Sequence, residues 1–94
     1  MNRQDDLQVI ADFYGLDSQR NILIEEMAEL TQALIKTTRI GEFAIDDVKE
    51  EMADVEIMLY QIKYLLGINT DIVIDYKVNR QMSRIDSDKV KYQE

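Results

Sequence analysis

The sequence contains no proline and only three glycines, at positions 15, 41 and 67. Proline breaks helices and glycine is favoured in tight turns, so long uninterrupted segments separate these three positions. Within the segments, apolar residues recur every three or four positions and do not alternate with polar ones. This spacing predicts an all-α protein of four helices with short loops. At 94 residues the chain is long enough for one domain, residues 1–94.

Capping residues and apolar stripes divide the chain into four predicted helices. The helices are expected over residues 4–14, about 18–38, 47–66 and about 70–86, with caps at Asp17 or Ser18, at Asp46, and at Asn69 or Thr70. Gly67 is expected to end the third helix in a left-handed conformation. Short connections favour antiparallel neighbours, which predicts a bundle-like arrangement.

Each predicted helix has an apolar stripe that is expected to face the core. The stripes are Leu7, Ile10, Ala11 and Tyr14; Leu23, Met27, Leu30 and Leu34; Val48, Met52, Val55, Leu59, Ile62 and Leu66; and Ile72 or Val73, Tyr76, Met82 or Ser83, and Ile85. A core of this size gives a small monomer only modest stability, so we also expect the chain to form oligomers.

The composition excludes several kinds of chemistry and of partner. The chain has no cysteine and no histidine, which excludes disulfides, thiol nucleophiles, the common zinc sites and di-iron bundles built on Glu-x-x-His. A net charge of −8 argues against a nucleic-acid partner. The N-terminal MNRQDDLQVI lacks the apolar region of a signal peptide, and no apolar run approaches the length of a membrane span. We therefore expect a cytoplasmic protein without a membrane partner.

The same short phrase, Glu-Glu-Met-Ala, occurs on both the second and the third predicted helix. It places Glu26 and Glu29 on one helix face, and Glu51 and Asp54 on another, because residues three apart are neighbours on a helix. Each pair borders an apolar stripe. If the two helices pack antiparallel, the four carboxylates can meet. Charged helix faces most often serve only solubility, so this is the competing interpretation.

Four carboxylates at close range repel one another unless a cation neutralises them. An all-oxygen ligand set fits a hard divalent ion, Mg²⁺ above all, with Mn²⁺ as a substitute. The sequence therefore indicates a metal site formed by Glu26, Glu29, Glu51 and Asp54.

These residues also resemble a known motif. The Glu26-x-x-Glu29 and Glu51-x-x-Asp54 pairs, with the additional Glu25, are similar to the signature of the MazG-like all-α nucleoside triphosphate pyrophosphohydrolases. The segments EEMADVEIMLYQI and YKVNRQMSRI also read like helices of that family, so the resemblance spans most of the chain.

The resemblance implies Mg²⁺-dependent hydrolysis of a nucleoside triphosphate to the monophosphate and pyrophosphate. It implies that the four acids hold metal ions bridging the triphosphate, and that Glu25 or Glu29 orients or deprotonates water. Lys77 and Arg80, extended by Arg84, match basic positions that contact phosphate. A homodimer or homotetramer is implied, with the second and third helices near the interface.

Two other functions remain open at this point. One is a catalytically silent nucleotide-binding or sensing module of the same fold. The other is an acidic interaction protein that mimics DNA, although a mimic needs acids spread over its surface. Phe13, Tyr14 and Tyr60 are weak candidates for stacking on a base, and Asn79 is a further candidate on the fourth helix.

Overall fold

The computed structural model describes residues 2–39 and 45–92, and these ranges contain four helices and no strand. In chain order the helices are α1 (Arg3–Tyr14), α2 (Leu16–Arg39), α3 (Ile45–Leu66) and α4 (Asp71–Tyr92). The all-α class is therefore confirmed. The fourth helix continues well past its predicted end. Gly41, which we expected between the second and third helices, lies outside the described residues.

The glycines at the two other turns adopt the conformations that only glycine accepts easily. Gly15 has φ 84° and is the single residue between α1 and α2. Gly67 has φ 65° and ends α3 as predicted. Its N–H donates to the Tyr64 carbonyl at 3.1 Å, and the N–H of Ile68 donates to the Lys63 carbonyl at 3.0 Å. This is the Schellman pattern, which satisfies carbonyls that the helix end leaves free.

The predicted caps are correct at one helix start and wrong at two. The Asn69 side chain accepts a hydrogen bond from the N–H of Asp71 at 2.8 Å, which confirms the predicted start of α4. Asp17 and Asp46 are not caps, because α2 and α3 begin before them and place both in the first turn. A carboxylate there still stabilises the helix through the positive end of its dipole.

The core lies where α2 and α3 pack antiparallel, with α1 against both. It is centred on Leu23, Val55 and Met58, against which Ile22, Leu30 and Ile62 pack. Two hydrogen bonds join α1 to α3. Gln8 Nε2 donates to the Tyr60 hydroxyl at 3.2 Å, and the Tyr64 hydroxyl donates to Asp12 Oδ2 at 2.8 Å.

About half of the predicted stripe residues on α2 and α3 are not in this core. The exposed members are Met27, Leu34, Met52, Leu59 and Leu66, each at least 41% exposed. For these residues the predicted core position is wrong. The α2–α3 interface instead runs closer to the helix faces that carry the acid pairs, and it buries Ala33 and Met58 there. We call these faces the acidic rows: Ile22, Glu26, Glu29 and Ala33 on α2, and Asp47, Glu51, Asp54 and Met58 on α3.

The fourth helix makes no contact with α1, α2 or α3 in the described part of the chain. Its predicted core stripe is therefore wrong for a single chain, and Ile72, for example, is 83% exposed. The radius of gyration is 17.9 Å, whereas a compact domain of this length has about 12 Å. No helix within 2–39 or 45–92 offers an apolar stretch that would reach across a bilayer.

Candidate metal centre

The antiparallel packing of α2 and α3 places polar residues of one helix opposite polar residues of the other at two levels along the interface. Near one end, Gln19 on α2 is hydrogen-bonded to Gln61 on α3. Seven residues further along α2 and seven residues back along α3, Glu26 is close to Asp54. Glu29 is close to Glu51 in the same register. The acidic rows therefore meet, as the sequence predicted.

Three of the four predicted metal ligands form a tight group. One carboxylate oxygen from each of Glu26, Glu51 and Asp54 lies within 4.8 Å of the others. We call these three residues the acidic cluster. Around one octahedral Mg²⁺ at about 2.1 Å, oxygens are about 3.0 Å apart when neighbouring and about 4.2 Å apart when opposite, so the three side chains are near enough to reach one ion.

The cluster is partly withdrawn from water. Glu26 and Glu51 are half-buried, and Asp54 is exposed. Glu26 Oε2 and Glu51 Oε2 are both buried, and neither has a hydrogen-bond partner among the described residues. A buried oxygen without a partner costs free energy, and the cost is larger when the group is charged.

Burial and mutual repulsion raise the pKa of two members of the cluster. Burial raises the pKa of the Glu26 carboxyl from its usual 4.5 to about 7, with added contributions from the charges of Glu29 and Asp54. Burial also raises the pKa of Glu51, and the charge of Glu29 adds to this effect. The folded protein therefore holds these carboxylates at a cost that a cation would relieve.

The two candidate catalytic acids differ in position. Glu29 is exposed at the rim of the cluster, close enough for its charge to raise the pKa of both Glu26 and Glu51. It lies just outside the three-residue group. Glu25 is exposed and is not among the charges that raise the pKa of either residue. The geometry thus brings Glu29 to the cluster and leaves Glu25 beside it.

The ligand set fits a hard divalent cation on chemical grounds. All donors are carboxylate oxygens, two of them buried and unpaired, and their repulsion favours a positive charge at the centre. Glu26, Glu51 and Asp54 would hold such an ion, with Glu29 at its edge.

The basic residues predicted to contact phosphate are distant from the acids within one chain. Lys77, Arg80 and Arg84 are exposed on α4, which contacts neither α2 nor α3 within the described ranges. The Arg80 guanidinium lies over the Tyr76 ring at 5.7 Å, and Ser83 lies between Arg80 and Arg84 along a shallow groove.

The candidate stacking residues are also away from the acidic cluster. Phe13 is 80% exposed and meets Tyr14 edge to face with 4.9 Å between ring centroids, at the end of α1. Tyr60 accepts the hydrogen bond from Gln8. Asn79 is exposed on α4.

Sequence reasoning missed the buried pair Gln19 and Gln61. The sequence contained a usable signal for them. Gln19 lies seven residues before Glu26 and Gln61 lies seven residues after Asp54, so each glutamine falls on the same helix face as an acid.

No protein-family model, no curated protein and no solved structure matches this chain. The likeness to the MazG-like enzymes therefore depends on the sequence motif and helix segments described above.

Proposed function

We propose that this chain is a Mg²⁺-dependent nucleoside triphosphate pyrophosphohydrolase, as its resemblance to the MazG-like enzymes implies. The observation that carries the proposal is the pair of buried, unpartnered carboxylate oxygens of Glu26 and Glu51 beside Asp54. A charged surface that served only solubility would keep these oxygens in water. An acidic DNA mimic would also need them there, so the burial disfavours that alternative.

Within the proposed reaction the acidic cluster has a binding role and Glu29 a proton-transfer role. Mg²⁺ held by the cluster, with Mn²⁺ as a substitute, would supply the positive charge that a triphosphate requires and lower the pKa of a bound water. Glu29 is exposed at the rim, where it would orient that water and accept its proton. Water adds across the α–β phosphoanhydride, which yields the nucleoside monophosphate and pyrophosphate. Glu25 is the second candidate for the base.

The test of this proposal is pyrophosphate release from a panel of canonical and modified nucleoside triphosphates. We expect release that requires Mg²⁺ or Mn²⁺ and that favours some bases over others. Release from no nucleotide, with divalent binding intact, would instead indicate the nucleotide-binding module. Absence of divalent binding would leave the acids as a charged surface and refute the proposal.

We further propose that the functional unit is a homodimer or a homotetramer, because one chain leaves apolar surfaces exposed. The exposed stripe of α3 (Ile45, Met52, Leu59 and Leu66) and that of α2 (Ile24, Met27 and Leu34) border the α2–α3 interface. An isolated helix such as α4 is only marginally stable in water, so it too needs a partner. The partner that offers all of these surfaces is a second copy of the chain.

Charge complementarity supports the same partner. The exposed apolar residues Ile74, Val78, Met82 and Ile85 share one face of α4, Lys77 and Arg84 lie toward its edge, and Arg80 lies on the far side. Docking the apolar face on the α2–α3 pair of a second copy would carry Lys77 and Arg84 toward an acidic surface. The phosphate contacts that one chain lacks would then come from its partner.

Val78→Glu tests this arrangement because it places a charge in the middle of the apolar face of α4. In sedimentation at micromolar concentration we expect the wild type to be at least a dimer and the variant to shift toward monomer. Val78→Leu, which keeps an apolar side chain at the same position, is the matched control and should leave the oligomer intact. A wild type that sediments as a stable monomer would rule the assembly out.

A further inference from the structure

The pair Gln19 and Gln61 is buried more deeply than most of the apolar core. Gln19 is 3% exposed and Gln61 1% exposed. Gln19 Nε2 donates a hydrogen bond to Gln61 Oε1, whereas Gln19 Oε1 has no partner among the described residues. Burying amides in this way is less favourable than filling the same space with apolar side chains. Stability alone therefore does not explain the pair.

The apolar residues around the pair do not define how α2 and α3 align. On α3, Val48, Val55 and Ile62 recur every seven residues, and on α2, Leu23 and Leu30 do the same. Sliding one helix by seven residues, about 10 Å, would place Val48 or Ile62 opposite Leu23 in place of Val55. The apolar contacts would be of similar quality. Five residues, 40–44, connect the helices, and at up to about 3.5 Å each they can span such a shift.

The glutamine pair removes this ambiguity. Shifted by seven residues one way, Gln19 would face Asp54 and Gln61 would have no partner on α2. Shifted the other way, Gln61 would face Glu26 and Gln19 would lie beyond the end of α3. A buried amide without a partner is strongly disfavoured, and only the observed alignment lets the two amides bond to each other. A single buried asparagine fixes the alignment of coiled coils for the same physical reason.

The same alignment assembles the acidic residues. Seven residues after Gln19 on α2 is Glu26, and seven residues before Gln61 on α3 is Asp54. Ten residues in the same directions are Glu29 and Glu51. A shift of seven residues would move Glu26 about 10 Å from Asp54. We propose that Gln19 and Gln61 are a positioning pair, which selects the one alignment of α2 and α3 that brings the acids together. The consequence for metal binding depends on the function proposed above.

The double variant Gln19→Leu/Gln61→Leu tests the proposal, because it replaces both amides with apolar groups and leaves neither unpaired. We expect its Tm to equal or exceed that of the wild type. Mn²⁺ alone, followed through the signal of the free ion in electron paramagnetic resonance, should bind at least about tenfold more weakly. A variant that only lost packing would instead lower Tm.

A direct measurement of the alignment separates this proposal from the proposed function. The chain has no cysteine, so spin labels at Asn21→Cys on α2 and Lys49→Cys on α3 report one distance without background when labelled chains are diluted with unlabelled ones. We expect one distance in the wild type and a second, shifted population in the double variant. A single unchanged distance in the double variant would overturn the proposal. If the wild type did not bind Mn²⁺, the proposed function would fail, and the distances would still decide the role of the pair.

Two further variants show whether the effect belongs to this pair. Gln61→Leu alone leaves the Gln19 amide without its partner and should lower Tm. Gln8→Leu removes another glutamine hydrogen bond between helices, the one to Tyr60. It should leave both the α2–α3 distance and Mn²⁺ binding unchanged. Equal weakening of Mn²⁺ binding by Gln8→Leu would refute a specific positioning role.

Discussion

Replacing Glu51 with glutamine is expected to make the metal-free protein more stable and to abolish the pyrophosphohydrolase activity that we propose. Glutamine has nearly the same shape but no charge, so it relieves the burial of a carboxylate that Glu29 repels. It is also a poor ligand for Mg²⁺. We expect pyrophosphate release to fall by about 100-fold or more, while the Tm measured without metal rises.

The matched control is Glu56→Gln, which makes the same chemical change on the same helix. Glu56 is exposed and lines a surface groove with Ile57 and Tyr60, on the side of α3 away from the acidic cluster. Glu56→Gln should change neither the rate of pyrophosphate release nor the Tm measured without metal appreciably. If Glu51→Gln lowered Tm in the absence of metal, the carboxylate would be stabilising the fold on its own, and the argument for a cation at this position would fail.

The metal-free protein is expected to lose stability as the pH rises from about 4.5 to about 7. Folding raises the pKa of the Glu26 carboxyl from 4.5 to about 7, so between these values the folded state holds a proton that the unfolded state has released. The free energy of unfolding therefore falls with increasing pH across this window and levels off above it. Thermal unfolding at intervals between pH 4.5 and 8, with a chelator present, measures the change.

Metal binding should show the opposite dependence on pH. Mg²⁺ competes with the proton on Glu26, so its apparent affinity should rise with pH by up to about tenfold per unit below pH 7. Saturating Mg²⁺ should correspondingly stabilise the protein more at pH 8 than at pH 5. The variant Glu26→Gln has no such proton and should remove most of the pH dependence. If Mg²⁺ affinity depended on pH equally in the wild type and in Glu26→Gln, the group that titrates would not be Glu26.

The sequence predicted the helices well because local signals define them. Gly15 and Gly67 lie at turns that require their conformations, and Asn69 supplies the start of α4. The sequence did not predict which apolar residues form the core of one chain. Met52 and Leu59 belong to the same seven-residue pattern as Val48 and Val55, yet only the latter two are buried. Periodicity identifies an apolar face but does not say whether the same chain or another one covers it.

The acidic cluster was predictable for a related reason. A short connection makes the two helices antiparallel neighbours, and each acid pair borders the stripe that packs against the other helix. The two pairs are therefore expected to lie close together. The choice between Glu25 and Glu29 was not predictable, because residues four apart share a helix face, and which of them reaches the cluster depends on how α2 packs against α3. Gln19 and Gln61 were overlooked because glutamine in a helical pattern is usually on the surface.

The isolation of α4 from the rest of its own chain has a thermodynamic consequence. A helix of this length without packing partners is close to balance between helix and coil in water. Within the proposed assembly, the contacts that hold α4 helical would exist only between chains. Folding of the C-terminal quarter of the protein and association of its subunits would then be a single equilibrium governed by mass action. Dilution would then unfold α4, as heating does, because it shifts the subunits toward monomers.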